Sequence, residues 1–445
     1  MALQSGLFTD LYELTMMQAY LQEDMTDDAV FSLFVRRLPP QRNLLLACGL
    51  DTVLDYLQSL QFTGDEISYL RSLNRFSDSF LNWLADFRFT GDVFAVPEGT
   101  PVFANEPIME VRASLPQAQL IETFIMNQVH VQTMLASKAL RVVQAAQGRP
   151  VIDFGARRMH GTDAALKAAR SFYIAGVAAT SNVLAGQTYG IPVSGTMAHS
   201  YIQSHDDETD AFRAFIRQYP DTILLVDTYD TLDGVHKIIG LAGEMGTVFQ
   251  VRALRLDSGD LLSLARRSRA LLDSAGLNGV EIFASGGLDE YSIHELVHAG
   301  APIDGFGVGT NMGVSADAPS LDIAYKLCEY AGKGRLKLSS GKPVLPGRKQ
   351  VYRETRDGIA IFDTIAGLLE KAPGRPLLKQ VMKNGCRLDD SRISLNEIRA
   401  HAQRELTLFP KMLLSLQPAV PAYPVRISSG LEADQKILEQ EHSPG

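Results

Sequence analysis

The chain is poor in cysteine: among 445 residues it has only Cys48, Cys328 and Cys386, far apart and odd in number. That excludes a CxxC metal site, argues against a disulfide framework and points to a reducing compartment. Positive charge is not in excess either. The net charge of −9 argues against nucleic acid as the main partner, because binding along a phosphate backbone needs a cationic surface. No charged-then-apolar leader opens the sequence, and no uninterrupted apolar stretch is long enough to span a bilayer. A cytoplasmic protein without membrane contact is expected. Two nucleotide fingerprints are missing as well: Gly341-Lys342 runs into Pro343, which breaks GxxxxGK[ST], and after Gly305-Phe306-Gly307 the third glycine of GxGxxG is replaced by Thr310. There is no internal repeat and no low-complexity tract.

What is present is a large core and an alternating texture. A hydrophobic content of 46% over this length supports two or three packed units. Residues 1–115 mix helix and strand signals: Asp10 opens a helix over Leu11–Leu21 with Glu13 as its capping-box partner, and Val30–Val35, Val93–Val96 and Ile108–Val111 read as strands. The helical stretch Gln117–Gln147 leads into a region, 116–330, with the rhythm strand, polar tip, helix. Strand cores are expected at Val151–Phe154, Ile174–Ala178, Ile191–Val193, Ile223–Val226, Val248–Leu256, Val280–Phe283 and Ile303–Val308, with helices such as Ala211–Gln218, Leu261–Ser274 and Tyr291–His298 between them. Apolar strands spaced by helices imply an α/β fold with a covered parallel sheet, and about seven units suggest a closed or nearly closed barrel. Residues 331–445 are expected to pack on the N-terminal region. They begin with Lys333–Arg353, seven basic residues and no acidic one, readable as a solvated face or as a phosphate-contacting flap.

The strand ends carry the chemistry. His199 lies in Ser194-Gly195-Thr196-Met197-Ala198-His199-Ser200, directly after Ile191–Val193, and a neutral imidazole there can serve as base, metal ligand or phosphate acceptor. Phe154 with Arg157 pairs an aromatic face with a guanidinium fork, which suits a flat anionic ring. Arg255 and Asp257, one residue apart on a strand, project to one face, where Arg255 can hold a phosphate and Asp257 can accept ribose hydroxyls or sit near Mg²⁺. Ser285-Gly286-Gly287 and Gly307-Val308-Gly309-Thr310 end two late strands, where barrels commonly bind phosphate. Asp227 is a rim residue without an assigned role. A binding module would not need this set, so the chain reads as an enzyme.

Together these segments resemble the nicotinate phosphoribosyltransferases. The likeness begins at Thr9-Asp10-Leu11-Tyr12-Glu13-Leu14-Thr15-Met16, runs through Asp153–Gly161, Gly195–Ser200, Val226–Gly234 and Leu256–Leu261, and continues past Gly309-Thr310-Asn311 to Leu345-Pro346-Gly347-Arg348-Lys349-Gln350-Val351. It implies an irregular (β/α) barrel with a smaller α+β domain formed by the N- and C-terminal regions, and a homodimer in which Tyr12 reaches the neighbour's site. It also implies a reaction joining nicotinate to 5-phosphoribosyl 1-diphosphate, with ATP hydrolysis coupled through a phosphorylated histidine. By motif position that histidine is His199, and Thr196, Arg255 and Thr310 fall where the family contacts substrate and ribose phosphate. Mg²⁺ is the implied cofactor; its ligands are not assigned.

Nicotinamide-using relatives carry an aspartate where this chain has Ser181. A carboxylate there would repel nicotinate by about 4 kcal/mol at about 4 Å with an effective dielectric of about 20, well over a hundredfold in binding. Acid is therefore expected over amide. The rivals are nicotinamide and quinolinate phosphoribosyltransferases and, from another class, a phosphosugar barrel lyase. The lyase would want a Schiff-base lysine on a strand core, and none of those above contains one.

Overall fold

A computed structural model describes residues 5–338 and 344–442. The chain forms two compact units, Lys138–Asp317 and the remainder, Met1–Ser137 with Ala318–Gly445. Residues 116–137 and 318–330, expected with the barrel, thus group with the chain ends. The reason is packing: Ile323–Tyr330 pairs antiparallel along Asp28–Val35, and within it Tyr325 stacks on Phe31 at 4.8 Å and donates its hydroxyl to the Ala118 carbonyl at 2.9 Å.

In the unit built from both ends, a seven-stranded antiparallel sheet runs in the order Lys333–Gly334, Ile323–Tyr330, Asp28–Val35, Met109–Ser114, Asp92–Ala95, Lys379–Lys383, Cys386–Arg387. Its third strand, Asp28–Val35, is buried along nearly all its length, and the one hydroxyl there, Ser32, donates to Glu110 at 2.6 Å. A four-stranded sheet contains Lys349–Arg356 and Ile359–Gly367. The basic stretch is therefore neither wholly a solvated face nor a flap, because Lys349 and Arg353 are buried against Glu110 and Asp363; its residues 339–343 lie outside the described residues. Asp10 does precede a helix, Leu11–Gln22, but makes no side-chain cap. Glu13 is buried and accepts from Gln119 at 2.6 Å, which turns it away from the capping-box geometry.

The Lys138–Asp317 unit holds six parallel strands in the order Ala179–Thr180, Val151–Asp153, Gly305–Val308, Glu281–Ala284, Ala253–Leu256, Ile223–Leu225. Ile152, Ala179, Ile223, Ala253 and Phe283 form one buried cluster. Ala179 and Ile223 belong to opposite edge strands, which in a flat sheet would stand roughly 24 Å apart. Their shared cluster requires the sheet to curl into a half-barrel. Ile174–Ala178 proves to be the end of the helix Thr162–Ala175, closed by Gly176 in the left-handed region at φ 113°. Ile191–Val193 contributes only a parallel bridge between Val193 and Thr180; Pro192, which has no N–H, cannot extend a ladder. Four helices behind the strands are capped by aspartates, Asp207, Asp230, Asp260 and Asp289, each accepting backbone N–H bonds in its first turn. No described helix is long and apolar enough to cross a membrane.

Candidate active site

Because every strand of the half-barrel runs the same way, the segments that follow them gather on one rim. The aspartate caps divide the acidic tips into two classes. In Asp227–Asp230 and Asp257–Asp260 the second carboxylate is consumed by a helix start, which leaves the first for the rim.

Arg255, on Ala253–Leu256, is the centre of the cluster. Its Nη1 donates to Thr196 Oγ1 and, at 3.3 Å, to the Met197 carbonyl; Nη2 stands 3.8 Å from Asp257 Oδ1. The guanidinium lies over the Phe154 ring at 5.8 Å, and that ring sits where a Cβ on Gly307 would come within 2.4 Å of it. Nε is buried with no partner among the described residues. Burial draws the Arg255 pKa below its ordinary value; Asp257 and Asp227 oppose this, and the like charge of Arg157 adds to it. Arg157 is exposed and has no hydrogen-bond partner among the described residues. Phe154 thus faces Arg255 and not Arg157, and the like charges of the two arginines share one region.

His199 opens the short helix His199–Gln203. Its Nδ1 is 3.1 Å from Thr228 Oγ1 and its Nε2 is 3.9 Å from Asp257 Oδ2. Asp257 also accepts from Ser285 Oγ, so one carboxylate links the imidazole, the guanidinium and the Gly286-Gly287 loop. Gly286 has φ 88°, and a Cβ there would fall 1.7 Å from the Asp257 carbonyl oxygen, so only glycine lets these loops meet. Asn311 Nδ2 donates to the Gly287 carbonyl at 2.8 Å, tying that loop to Gly309-Thr310, while Arg158 Nη1 reaches Thr310 Oγ1 at 3.2 Å. Ser181 is half-buried, its N–H bonded to the Asp153 carbonyl at 2.8 Å. Asp153 is itself buried and holds Gly155 N and Thr180 Oγ1, each at 2.8 Å. Tyr12 belongs to the other unit, where it is about half exposed.

Several rim residues were given no role by sequence reasoning. Asp227 takes Asp257 N at 3.1 Å and Ser258 Oγ at 2.5 Å on one oxygen, while Oδ1 is buried without a partner among the described residues. Thr228, Ser285 and Asn311 orient His199, Asp257 and the glycine loop. Ser285 directly follows its strand and the other three lie within three residues of a strand end, which is the one signal that could have found them.

Fold and rim together define an α/β enzyme that acts on an anionic ligand. Comparison with known proteins gives the particular family. Residues 7–130 match the nicotinate phosphoribosyltransferase N-terminal domain, and residues 150–384 match the nicotinate phosphoribosyltransferase family. A nicotinate phosphoribosyltransferase of Mycobacterium tuberculosis is 55% identical over 95% of this chain and 91% of its own; that of Bacillus subtilis is 41% identical over 80% and 76%. Human nicotinic acid phosphoribosyltransferase superposes with a TM-score of 0.86 at 27% identity, covering 97% of this chain and all of that one. The chain belongs to the nicotinate phosphoribosyltransferase family.

Proposed function

We propose that this enzyme of NAD biosynthesis joins nicotinate to 5-phosphoribosyl 1-diphosphate, giving nicotinate mononucleotide and diphosphate, with ATP hydrolysis coupled through His199. The observation that carries this reading is Arg255, held by Thr196 and Asp257 with its Nε unsatisfied and a second cation, Arg157, nearby. Such an arrangement is completed by an anion.

The pyridine nitrogen forms a bond to the anomeric carbon as the carbon–oxygen bond to diphosphate breaks, and the electron pair leaves with diphosphate. No proton need move. The protein's work is orientation and charge stabilisation, with Arg255 on the leaving diphosphate and Asp257 on the ribose hydroxyls. Gly286, Gly287, Gly309 and Thr310 would receive the 5-phosphate, and Phe154 would lie against the pyridine. Asp257 and the unpartnered oxygen of Asp227 fit Mg²⁺, which keeps few protein ligands and relies on substrate oxygens; among the described residues no group of three acidic, cysteine or histidine ligands exists. When bound, Mg²⁺ supplies charge neutralisation for the diphosphate. With Nδ1 on Thr228, Nε2 of His199, 3.9 Å from Asp257 Oδ2, is the nitrogen that would take the ATP phosphoryl group, ADP leaving, before water releases phosphate.

Ser181 supports acid over amide, since it adds no negative charge against the nicotinate carboxylate. Exposed Tyr12 supports a homodimer with shared sites, three cysteines that form no disulfide among the described residues support a cytoplasmic setting, and the Thr180–Val193 bridge supports closure of the half-barrel into an irregular barrel. The test is to incubate the enzyme with Mg²⁺, phosphoribosyl diphosphate and either pyridine, with and without ATP. Mononucleotide should form from nicotinate and be stimulated by ATP, and His199→Ala should retain slow ATP-independent transfer while losing all stimulation. Normal coupling in that variant would refute the role of His199, and equal turnover of nicotinamide would refute the substrate choice.

A further inference from the structure

The unit built from both chain ends contains its own cavity of about 720 Å³, within the range of small-molecule sites. Its apolar wall includes Leu54, Pro97, Val381 and Ile393. Its charged lining is mostly self-satisfied. Arg387 is used by Asp51 at 2.6 Å and Asp55 at 2.8 Å, Glu98 accepts from Gly49 N at 2.6 Å, and Glu397 closes the capping box of the helix Leu395–Thr407. Three groups are left over. Lys379 and Arg404 line the cavity from exposed positions with no side-chain hydrogen-bond or ion-pair partner among the described residues, and Asp390, also exposed, is the lining carboxylate in the same state.

His401 also lines the space, its Nε2 3.1 Å from Thr100 Oγ1. Burial holds its pKa below the ordinary value; Glu405 opposes this, and the cations Arg375, Arg404 and Lys379 add to the depression. Arg375 is neutralised by two bonds to Glu405, at 2.8 and 2.7 Å, but Lys379 and Arg404 have no such partner. Unpaired, solvent-accessible cations beside an imidazole on an apolar-walled space attract an anion that can exchange with solvent, and a leftover carboxylate suits a hydroxyl donor.

We propose that this cavity is a second ligand site, in which Lys379, Arg404 and His401 take the phosphate of a hydroxyl-bearing organic phosphate of nucleotide size, Asp390 takes a hydroxyl, and the Leu54–Pro97–Val381 wall takes the apolar body. It lies outside the residues assigned to the transfer reaction and does not depend on that assignment.

The test uses the full chain carrying Arg255→Met, which disables the rim site, with and without Lys379→Met/Arg404→Met. Calorimetric titration with AMP, ribose 5-phosphate, inorganic phosphate and adenosine gives four arms. AMP should bind at least tenfold more tightly than adenosine, and the double substitution should weaken AMP by tenfold or more, about what two charge-assisted contacts provide. Ribose 5-phosphate matching AMP would assign the site to sugar phosphates, and inorganic phosphate matching both would assign it to the free anion. AMP should also raise the His401 pKa by NMR. In the chain with Arg255 intact, the double substitution should leave the steady-state constants for transfer unchanged. Absence of binding in the Arg255→Met chain, or equal AMP affinity with and without Lys379 and Arg404, overturns the proposal.

Discussion

Arg353 and Arg255 occupy comparable surroundings, a strand, nearby carboxylates and an aromatic face, yet their accounts differ. Arg353 is wholly buried, with Nε 3.0 Å from Asp363 Oδ1, Nη2 donating 2.8 Å to the Pro101 carbonyl, and the Phe409 ring 4.9 Å away. Burial works against its charge, but Asp363 and Glu106 overcome that and lift its pKa above the ordinary value. Arg255 is the reverse: burial wins, and Asp257 and Asp227 only partly restore the charged form. The same residue type is thus compensated where it serves the fold and left under-compensated where a ligand completes it. Charge density along the sequence does not make that distinction, since Arg353 comes from the most basic stretch of the chain and Arg255 does not.

The comparison can be broken first at Arg353. Arg353→Met leaves Asp363 buried and uncompensated, so unfolding stability should fall by about 3–5 kcal/mol, read as a lowered urea midpoint, with nicotinate KM unchanged in the folded fraction. A midpoint shift below about 1 kcal/mol would remove Arg353 from the structural class. Next, Ser181→Asp places charge on the rim where none is wanted. Nicotinate binding should weaken more than a hundredfold while phosphoribosyl diphosphate binding changes little; equal losses for both ligands would point to general damage at the rim.

A smaller effect tests a carboxylate that is buried without a cation. Burial raises the Glu13 pKa to about 7 despite bonds from Gln119 and Tyr12, and Glu122 and Asp10 add to the rise. The folded chain keeps that proton to about pH 7, whereas the unfolded chain gives it up near 4.5. Between those values the native state binds more protons, so stability falls as pH rises and levels off above 7, by an amount on the order of 2 kcal/mol. Glu13→Gln should remove that slope from melting temperatures recorded across the window. An unchanged slope would assign it to other groups.

Much of this was legible beforehand. The helix Leu261–Ser274 has the bounds its sequence pattern gives, and the apolar runs that begin at Val151, Ile223, Val280 and Ile303 each contain a strand, because a strand covered on both faces must be apolar throughout. Ile174–Ala178 misled because the last turn of a buried helix is equally apolar, and Asp10–Glu13 because the spacing of a capping box does not reveal that its glutamate is needed by Gln119. At the rim, Arg255 and Asp257 stand out at the end of a strand, and His199 by following the apolar run Ile191–Val193. The partnership of Phe154 with Arg255, and of Thr228 with His199, depends on how the sheet curls, and no local pattern encodes that.

The most direct test of the central contrast is Arg255→Met, measured for phosphoribosyl diphosphate affinity and melting temperature on the same preparation. Affinity should fall by about a hundredfold or more while the melting temperature stays within about 2 °C of the parent, since its partners Thr196, Met197 and Asp257 all belong to the segments that follow the strands. Unaltered affinity together with a large drop in melting temperature would place Arg255 beside Arg353 and contradict the account.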